Sequence, residues 1–334
     1  MLSNKLRRVR NMVSTSLMQV KSPPARPITN FQSHNSTLFH QGFTTFSFLN
    51  SSELDALNKI VHSLNNSVSW DDVHIRTPFR LSAFHNCSSY KSALYEAIYA
   101  HLREKLDQLL NNYTPLVINV FEKDPQLSDS AVAIHQNPSF VEEPDFKSVS
   151  VWIPLIDVCK YNGTVGVLRG SQDAFDAVRA ANMPDIFADV ADQLVRTYFE
   201  PLNLRRGYAA LLDDSAVHWS YPNMSQEARG AVQLIMVPRE ARHIYYYYNT
   251  DGHAPMVDIY DVSREFFFNF NCKQEPSGLS YISSKPFVYK NLTEGDLVER
   301  VFPKNPSILL KYQQSKMSSM VSPVDSLASG SVSQ

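Results

Sequence analysis

AIHQNPSFVEEPDFKSVSVWIPL, residues Ala133 to Leu155, is the stretch from which the rest of this 334-residue chain can be read. Its second half, residues 148–155, is rich in β-branched and aromatic side chains and reads as a buried strand. Its first half ends the apolar run 131–135 on His135 and places Asn137 two positions later. On an extended chain, positions i and i+2 point to the same side. A second histidine, His218, closes the run 216–219 inside LLDDSAVHWSYPN. Arg229 then opens a further apolar run, 231–237.

Working outward, the texture on the C-terminal side of Pro115 has period 2. Residues 117–121, 131–135, 148–155 and 164–168 read as strands, with the turn pair Asn162-Gly163 before the fourth. A helical interruption over 185–198 is followed by strands at 208–212, 216–219, 230–237, 244–248 and 265–271. N-terminal to this series the period is 3.6. Leu54, Leu57, Ile60, Val61 and Leu64 follow the capping stretch Ser51-Ser52-Glu53. A longer helix runs from Ser89 through Leu94, Ile98, Leu102, Leu106 and Leu109 to a break at Asn111-Asn112. Many strands with helices before and among them predict a mainly β fold with flanking helices: a double-stranded β-helix, or cupin-like jelly roll, whose two sheets enclose a pocket. No internal repeat and no glycine-rich phosphate loop occurs.

Composition excludes more than it selects. Charged residues make up 19% and the formal net charge is −2, so neither a nucleic-acid footprint nor a solvating acidic chain is indicated. Cys87, Cys159 and Cys272 are far apart and form no disulfide or thiolate-metal spacing. No apolar run is long enough to span a bilayer. The first 52 residues lack Asp and Glu but carry Lys5, Arg7, Arg8, Arg10, Lys21 and Arg26. That composition suits a basic disordered tail on a cytoplasmic protein, or alternatively a mitochondrial transit peptide. The final 20 residues, from Ser315, hold eight serines. The expected organisation is a disordered basic segment over 1–40, one β-helix domain over 41–310, and a Ser-rich disordered tail over 311–334.

The chemistry lies in the histidines. A ferrous ion that must also bind a co-substrate and dioxygen needs open coordination positions, so a protein offers it two imidazoles and one carboxylate on a single face. His135, position 137 and His218 have that spacing, but Asn137 provides an amide oxygen, a weaker donor without charge. A lone histidine at a strand end is ordinarily a satisfied structural residue. Arg229 adds weight, because a guanidinium opening an apolar strand is costly unless it meets an anion. A bidentate carboxylate would satisfy it; an ion pair with Asp213 or Glu227 is the plainer alternative.

These residues resemble a known family. VWIPLIDVCKYNGTVGVLRGSQ is similar to the phytanoyl-CoA dioxygenase pattern of a Trp, a Pro-Leu, an Asp, an Asn-Gly turn and a terminal Pro-Gly-Ser-His. LLDDSAVHWSYPNMSQEARGAVQL resembles its second block, an Asp followed by His-x-Ser, Pro-Asn, Ser and Arg. HIYYYY and DVSREFFFNF resemble the C-terminal strands of bacterial-type members, and the resemblance covers about Ser51 to Phe302. It implies an Fe(II)- and 2-oxoglutarate-dependent dioxygenase that hydroxylates a small organic substrate with dioxygen. His135 and His218 would be the imidazole ligands, and Asn137 would stand where the family has its acid. Arg229 would hold the distal carboxylate of 2-oxoglutarate, assisted by Ser225 and Lys123. Trp152 and Asn162-Gly163 would be structural, and Phe140 and Trp219 would help wall the pocket. The Arg169-Gly-Ser-Gln172 loop departs from the pattern at a position that need not bind metal.

Asn137 leaves several accounts open. The amide could ligate weakly, or Glu142 or Glu143 in the following loop could supply the acid. An external halide could replace the acid, as in related halogenases, although there a small residue makes room for it. Alternatively, the chain is a catalytically inactive jelly-roll ligand-binding protein that has lost the iron carboxylate.

Overall fold

The computed structural model describes residues 26–321, apart from 144, 173, 176 and 273. The elements, in chain order, are α1 (Gln32–Gln41), β1 (Phe43–Ser47), α2 (Ser51–Asn65), β2 (Arg80–Leu81), α3 (Ser88–Leu109), β3 (Tyr113–Lys123), β4 (Val132–His135), β5 (Val149–Pro154) and β6 (Val165–Val167). After short helical turns over 188–198 come β7 (Glu200–Pro201), β8 (Tyr208–Asp213), β9 (His218–Ser220), β10 (Arg229–Pro238), β11 (Ile244–Asn249), β12 (Met256–Asp261), α4 (Arg264–Phe268), β13 (Ser280–Pro286), α5 (Glu294–Arg300) and α6 (Pro306–Val321).

A six-stranded antiparallel sheet, β1-β8-β5-β10-β3-β2, faces a four-stranded one, β4-β9-β6-β7, across a cavity. This is the double-stranded β-helix expected. The period of 2 decides what each face of the large sheet does. On β3, Ile118 and Val120 point outward into the core under α2 and α3, while Val117, Asn119 and Phe121 line the cavity. On β10, Val232, Leu234 and Met236 join that outer core and Gln233 and Ile235 point inward; on β5, Val149, Val151 and Ile153 go out and Ser150 and Trp152 in. The outer core is closed by Leu54 and Leu57 of α2 and Leu94, Ile98 and Leu102 of α3, all fully buried. The α2 cap is Asn50, one residue before the capping stretch: its side chain accepts from Glu53 N at 2.9 Å, and Glu53 accepts from Asn50 N at 2.8 Å. A separate three-stranded sheet, β11-β12-β13, follows.

Three expectations are corrected. Residues 265–271 do not form a strand: α4 occupies most of them, because Phe267 packs edge-on against Phe140 while Phe266 and Phe270 stack around it, an arrangement that needs helical rather than alternating spacing. The N-terminal segment predicted to be disordered over 1–40 is ordered where it is described. Arg26 Nη2 donates to Asn111 O at 2.6 Å, Ile28 and Leu38 are buried, and α1 ends on Gly42 at φ +81. The predicted tail over 311–334 likewise begins inside a helix, since α6 runs from Pro306 to Val321. Residues 1–25, on which the tail and transit-peptide readings chiefly rest, and residues 322–334 lie outside the described residues. The three cysteines are free.

Candidate active site

His135 and His218 are register partners across β4 and β9, with a register irregularity between Val132 and His135. Their ring centroids are 4.3 Å apart. Each ring holds Nδ1 against a backbone carbonyl two residues earlier, His135 on Ala133 O at 2.7 Å and His218 on Ala216 O at 2.9 Å. A carbonyl only accepts, so Nδ1 carries the proton and Nε2 keeps its lone pair, the tautomer a metal-binding imidazole needs. Burial pushes both imidazoles down, His218 to about 3 with His135 as an added cause, so both rings stay neutral.

The strand ends at His135, so position 137 is set by a loop rather than by β alternation. Asn137 N donates to Asp214 O at 3.0 Å, and Arg179 Nε donates to Asn137 O at 2.7 Å. The amide Nδ2 donates to Asp214 Oδ1 at 2.7 Å and to Ser150 Oγ at 3.0 Å. With Nδ2 fixed by two acceptors, Oδ1 occupies the other branch of the amide, and Asn137 lines the same cavity as the two histidines. Asp214 is completely buried, and desolvation pushes it up to about 6 against the hydrogen bonds that hold it down. Glu142 is exposed, whereas Glu143 is committed to Arg179 at 2.7 Å with both side chains buried. Neither glutamate serves the histidines. Among the described residues no three His, Cys, Asp or Glu side chains gather as a metal cluster.

Arg229 lies where β10 begins, directly opposite Lys123 on β3. It is buried, its Nη2 donates to Gly163 O at 2.5 Å, and its Nε has no partner. No carboxylate pairs with it among the described residues, so neither Asp213 nor Glu227 is its partner. Burial pushes its guanidinium down to about 10. Lys123 sits one layer behind the wall, donating to Ser220 Oγ and Tyr221 O, each at 2.6 Å. Burial, and then the neighbouring Arg229, push its amine down to about 6. Gly163 makes room for the pair: at φ +89, a Cβ there would sit 3.0 Å from Tyr221 O and 3.2 Å from Lys123 Cδ. The Asn-Gly turn is therefore also part of the basic corner. Ser225 is elsewhere. Its Oγ donates to Asn223 Oδ1 at 2.7 Å within the surface turn after β9, and it does not line the cavity.

The cavity has a volume of about 510 Å³ and takes in His135, His218, Asn137 and Arg229. Phe140 and Trp219 line it as expected, and so does Tyr245, the first residue of the tyrosine run. Sequence reasoning missed Asp214 and Ser150, and also Phe79 and Phe84, which come from the segment between α2 and α3. The Asp213-Asp214 pair was the available signal for the first: Asp213 caps Ser215 in the turn, which leaves Asp214 to point inward.

The residues present fit a divalent cation, because two adjacent neutral imidazoles with free Nε2 atoms and one amide side chain line a single cavity in which no lysine competes among the described residues. Comparison with curated proteins gives no match. Among solved structures the chain is similar to the non-heme alpha ketoglutarate dependent carbocyclase SnoK from nogalamycin biosynthesis, at 15% identity and TM-score 0.48, over 66% of this chain and 90% of that one. It is also similar to HygX from Streptomyces hygroscopicus with nickel and 2-oxoglutarate bound (13%, TM-score 0.44, 63% and 88%) and to EctD from S. alaskensis with 2-oxoglutarate and 5-hydroxyectoine (13%, TM-score 0.45, 67% and 83%). The sequence profile described as Phytanoyl-CoA dioxygenase (PhyH) matches residues 46–231. With more than half of its length matched in this way, the chain belongs to the phytanoyl-CoA dioxygenase family.

Proposed function

We propose that this protein is an Fe(II)- and 2-oxoglutarate-dependent dioxygenase that hydroxylates an apolar small molecule. The observation that carries the reading is one cavity lined both by a pair of histidines with free Nε2 atoms and by a buried arginine without an anion. His135, His218 and the Asn137 amide would hold the metal. Arg229 would receive the far carboxylate of 2-oxoglutarate, with Lys123 behind it adding positive potential as the ligand's charge arrives. Iron and 2-oxoglutarate, when bound, supply the oxidising power by activating dioxygen as the keto acid loses carbon dioxide and becomes succinate.

The protein's own contribution is placement and dryness. The Nδ1 bonds to Ala133 O and Ala216 O hold both rings in one tautomer, and Trp152 lies under the Arg229 guanidinium, 5.9 Å from ring centroid to Cζ. Much of the rest of the cavity is apolar: Phe79, Phe84, Phe121, Phe140, Phe267 and Phe270 face it beside the neutral polar Asn119, Ser150, Ser220 and Gln233, and among the described residues no Asp, Glu or Lys does. An uncharged substrate of hydrocarbon character matches such walls, since a charged one would lose its hydration without a partner.

One observation favours a second reading, a ligand-binding protein without turnover: the third metal donor is neutral, which lowers metal affinity. A halogenating variant is disfavoured, because the Asn137 amide, pinned by Asp214 and Ser150, fills the room a halide would need. Anaerobic titration with Fe(II) and 2-oxoglutarate separates the two remaining readings. The expected result is a weak visible charge-transfer band, followed by succinate once air is admitted. No band at millimolar iron would leave the binding protein.

A further inference from the structure

Asp214 is a buried carboxylate with no ion pair among the described residues, and its Oδ1 is held by two residues that line the cavity. Asn137 Nδ2 donates to that oxygen at 2.7 Å and Ser150 Oγ at 2.6 Å. Ser150 Oγ also accepts from Gln233 Nε2 at 3.1 Å, so the serine hydroxyl is itself fixed as a donor toward Asp214. A buried carboxylate is expensive unless a positive charge lies close by, and the buried Arg179 guanidinium, which donates from Nε to Asn137 O, is one such charge. Asn137 itself lines the cavity, as do His135 and His218 with their Nε2 lone pairs.

We infer that Asp214 is the carboxylate of this site, set back by one side chain, and that it acts on a metal ion through Asn137. Asp214 is thus a positioning residue. It holds the amide with Nδ2 on Asp214 and Ser150, which leaves Oδ1 free for a cation. By accepting from Nδ2 it also draws amide electron density onto Oδ1, making that oxygen a better donor than a free carboxamide. The negative charge that the family pattern puts directly at position 137 is kept, one hydrogen bond further from the cation. Restoring the acid at position 137 alone would then be counterproductive. Two carboxylates in hydrogen-bond contact share a proton and behave as a single charge, so the gain in direct ligation is offset by a lost hydrogen bond.

This inference rests on the proposed metal site, and the test keeps the two apart. Cobalt(II) is titrated into the metal-free, full-length protein by calorimetry, and its d–d absorption is recorded, without 2-oxoglutarate or oxygen. Wild type is expected to bind. Asp214→Asn should bind about 10- to 100-fold more weakly, the range for loss of a group that orients a ligand. Asn137→Asp alone should bind no more tightly than wild type. The exchanged pair, Asn137→Asp with Asp214→Asn, keeps one acid and one amide in contact and should bind at least as tightly as wild type, with an altered cobalt spectrum. The pair also serves as the control if Asp214→Asn fails to fold. No cobalt binding by wild type at millimolar concentration overturns the metal site and this inference with it. Binding by wild type that is unchanged in Asp214→Asn, or that is tightened by Asn137→Asp alone as much as by the pair, overturns the role of Asp214 and leaves the metal site standing.

Discussion

Arg229 and Lys123 oppose each other across β10 and β3, two basic side chains sealed into one wall without a carboxylate between them. Two consequences follow from that single juxtaposition. Lys123 is held at about 6 against an ordinary 10.5, so between those pH values the unfolded chain carries a proton that the folded one lacks. Stability from this group therefore rises as pH increases through the window and falls as pH drops toward 6, with a limiting slope of about 1.4 kcal/mol per pH unit. In urea unfolding at pH 7 and at pH 8.5, Lys123→Met is expected to lose that part of the pH dependence. An identical pH slope in the two proteins would mean that the lysine is charged in the wall. The same juxtaposition explains why Ser225 is not needed at the corner: Gly163 O accepts from Arg229 Nη2, Ser220 Oγ and Tyr221 O accept from Lys123, and Arg229 Nε is left for an anion.

At the scale of elements, α3 shows how closely period and packing agree. Leu94, Ile98 and Leu102 repeat every four residues and are all fully buried against the outer face of the large sheet. Ile98→Ala should cost about 2–5 kcal/mol, read by chemical denaturation, since a close-packed core closes over the lost methyl groups only in part. The strands are less transparent. Those of the large sheet are buried on both faces, so their apolar runs declare a strand but not which residues face the helices and which the cavity. For β3, β5 and β10 only the assembled sheet makes that choice. The aromatic run of α4 shows the opposite failure: Phe266, Phe267 and Phe268 have strong β propensity, and tertiary contact of the first two with Tyr245 and Phe140 overrides it.

For the molecule as a whole, a charged co-substrate entering a dry cavity should couple binding to stability. With nickel(II) as a redox-inert ion, 2-oxoglutarate at a hundred times its Kd adds about 2.7 kcal/mol. For a chain of this size that is a rise of roughly 4 °C in Tm. Arg229→Met should keep the shift from nickel alone and lose the increment from 2-oxoglutarate, because the distal carboxylate would meet no guanidinium. An undiminished increment in the variant would place the co-substrate elsewhere. The same architecture ties the start of the described chain to the domain: Arg26, Ile28 and Leu38 make contacts that composition could not reveal, since a basic, acid-free stretch has the same composition whether or not its few apolar residues find a core.

The sequence by itself determined the chemistry of the ligands and the period of the elements: two histidines, an arginine, amphipathic helices, and strands numerous enough to close a β-helix. Side-chain type and spacing are local properties, and spacing says which residues share a face. Tertiary structure alone decided the partners. Asn137 and Asp214 are 77 residues apart and meet only because the turn after β8 returns beneath the end of β4. Glu143, next to the site in sequence, is drawn away by Arg179. A hydrogen bond depends on distance in space, and the chain must close into two facing sheets before that distance exists.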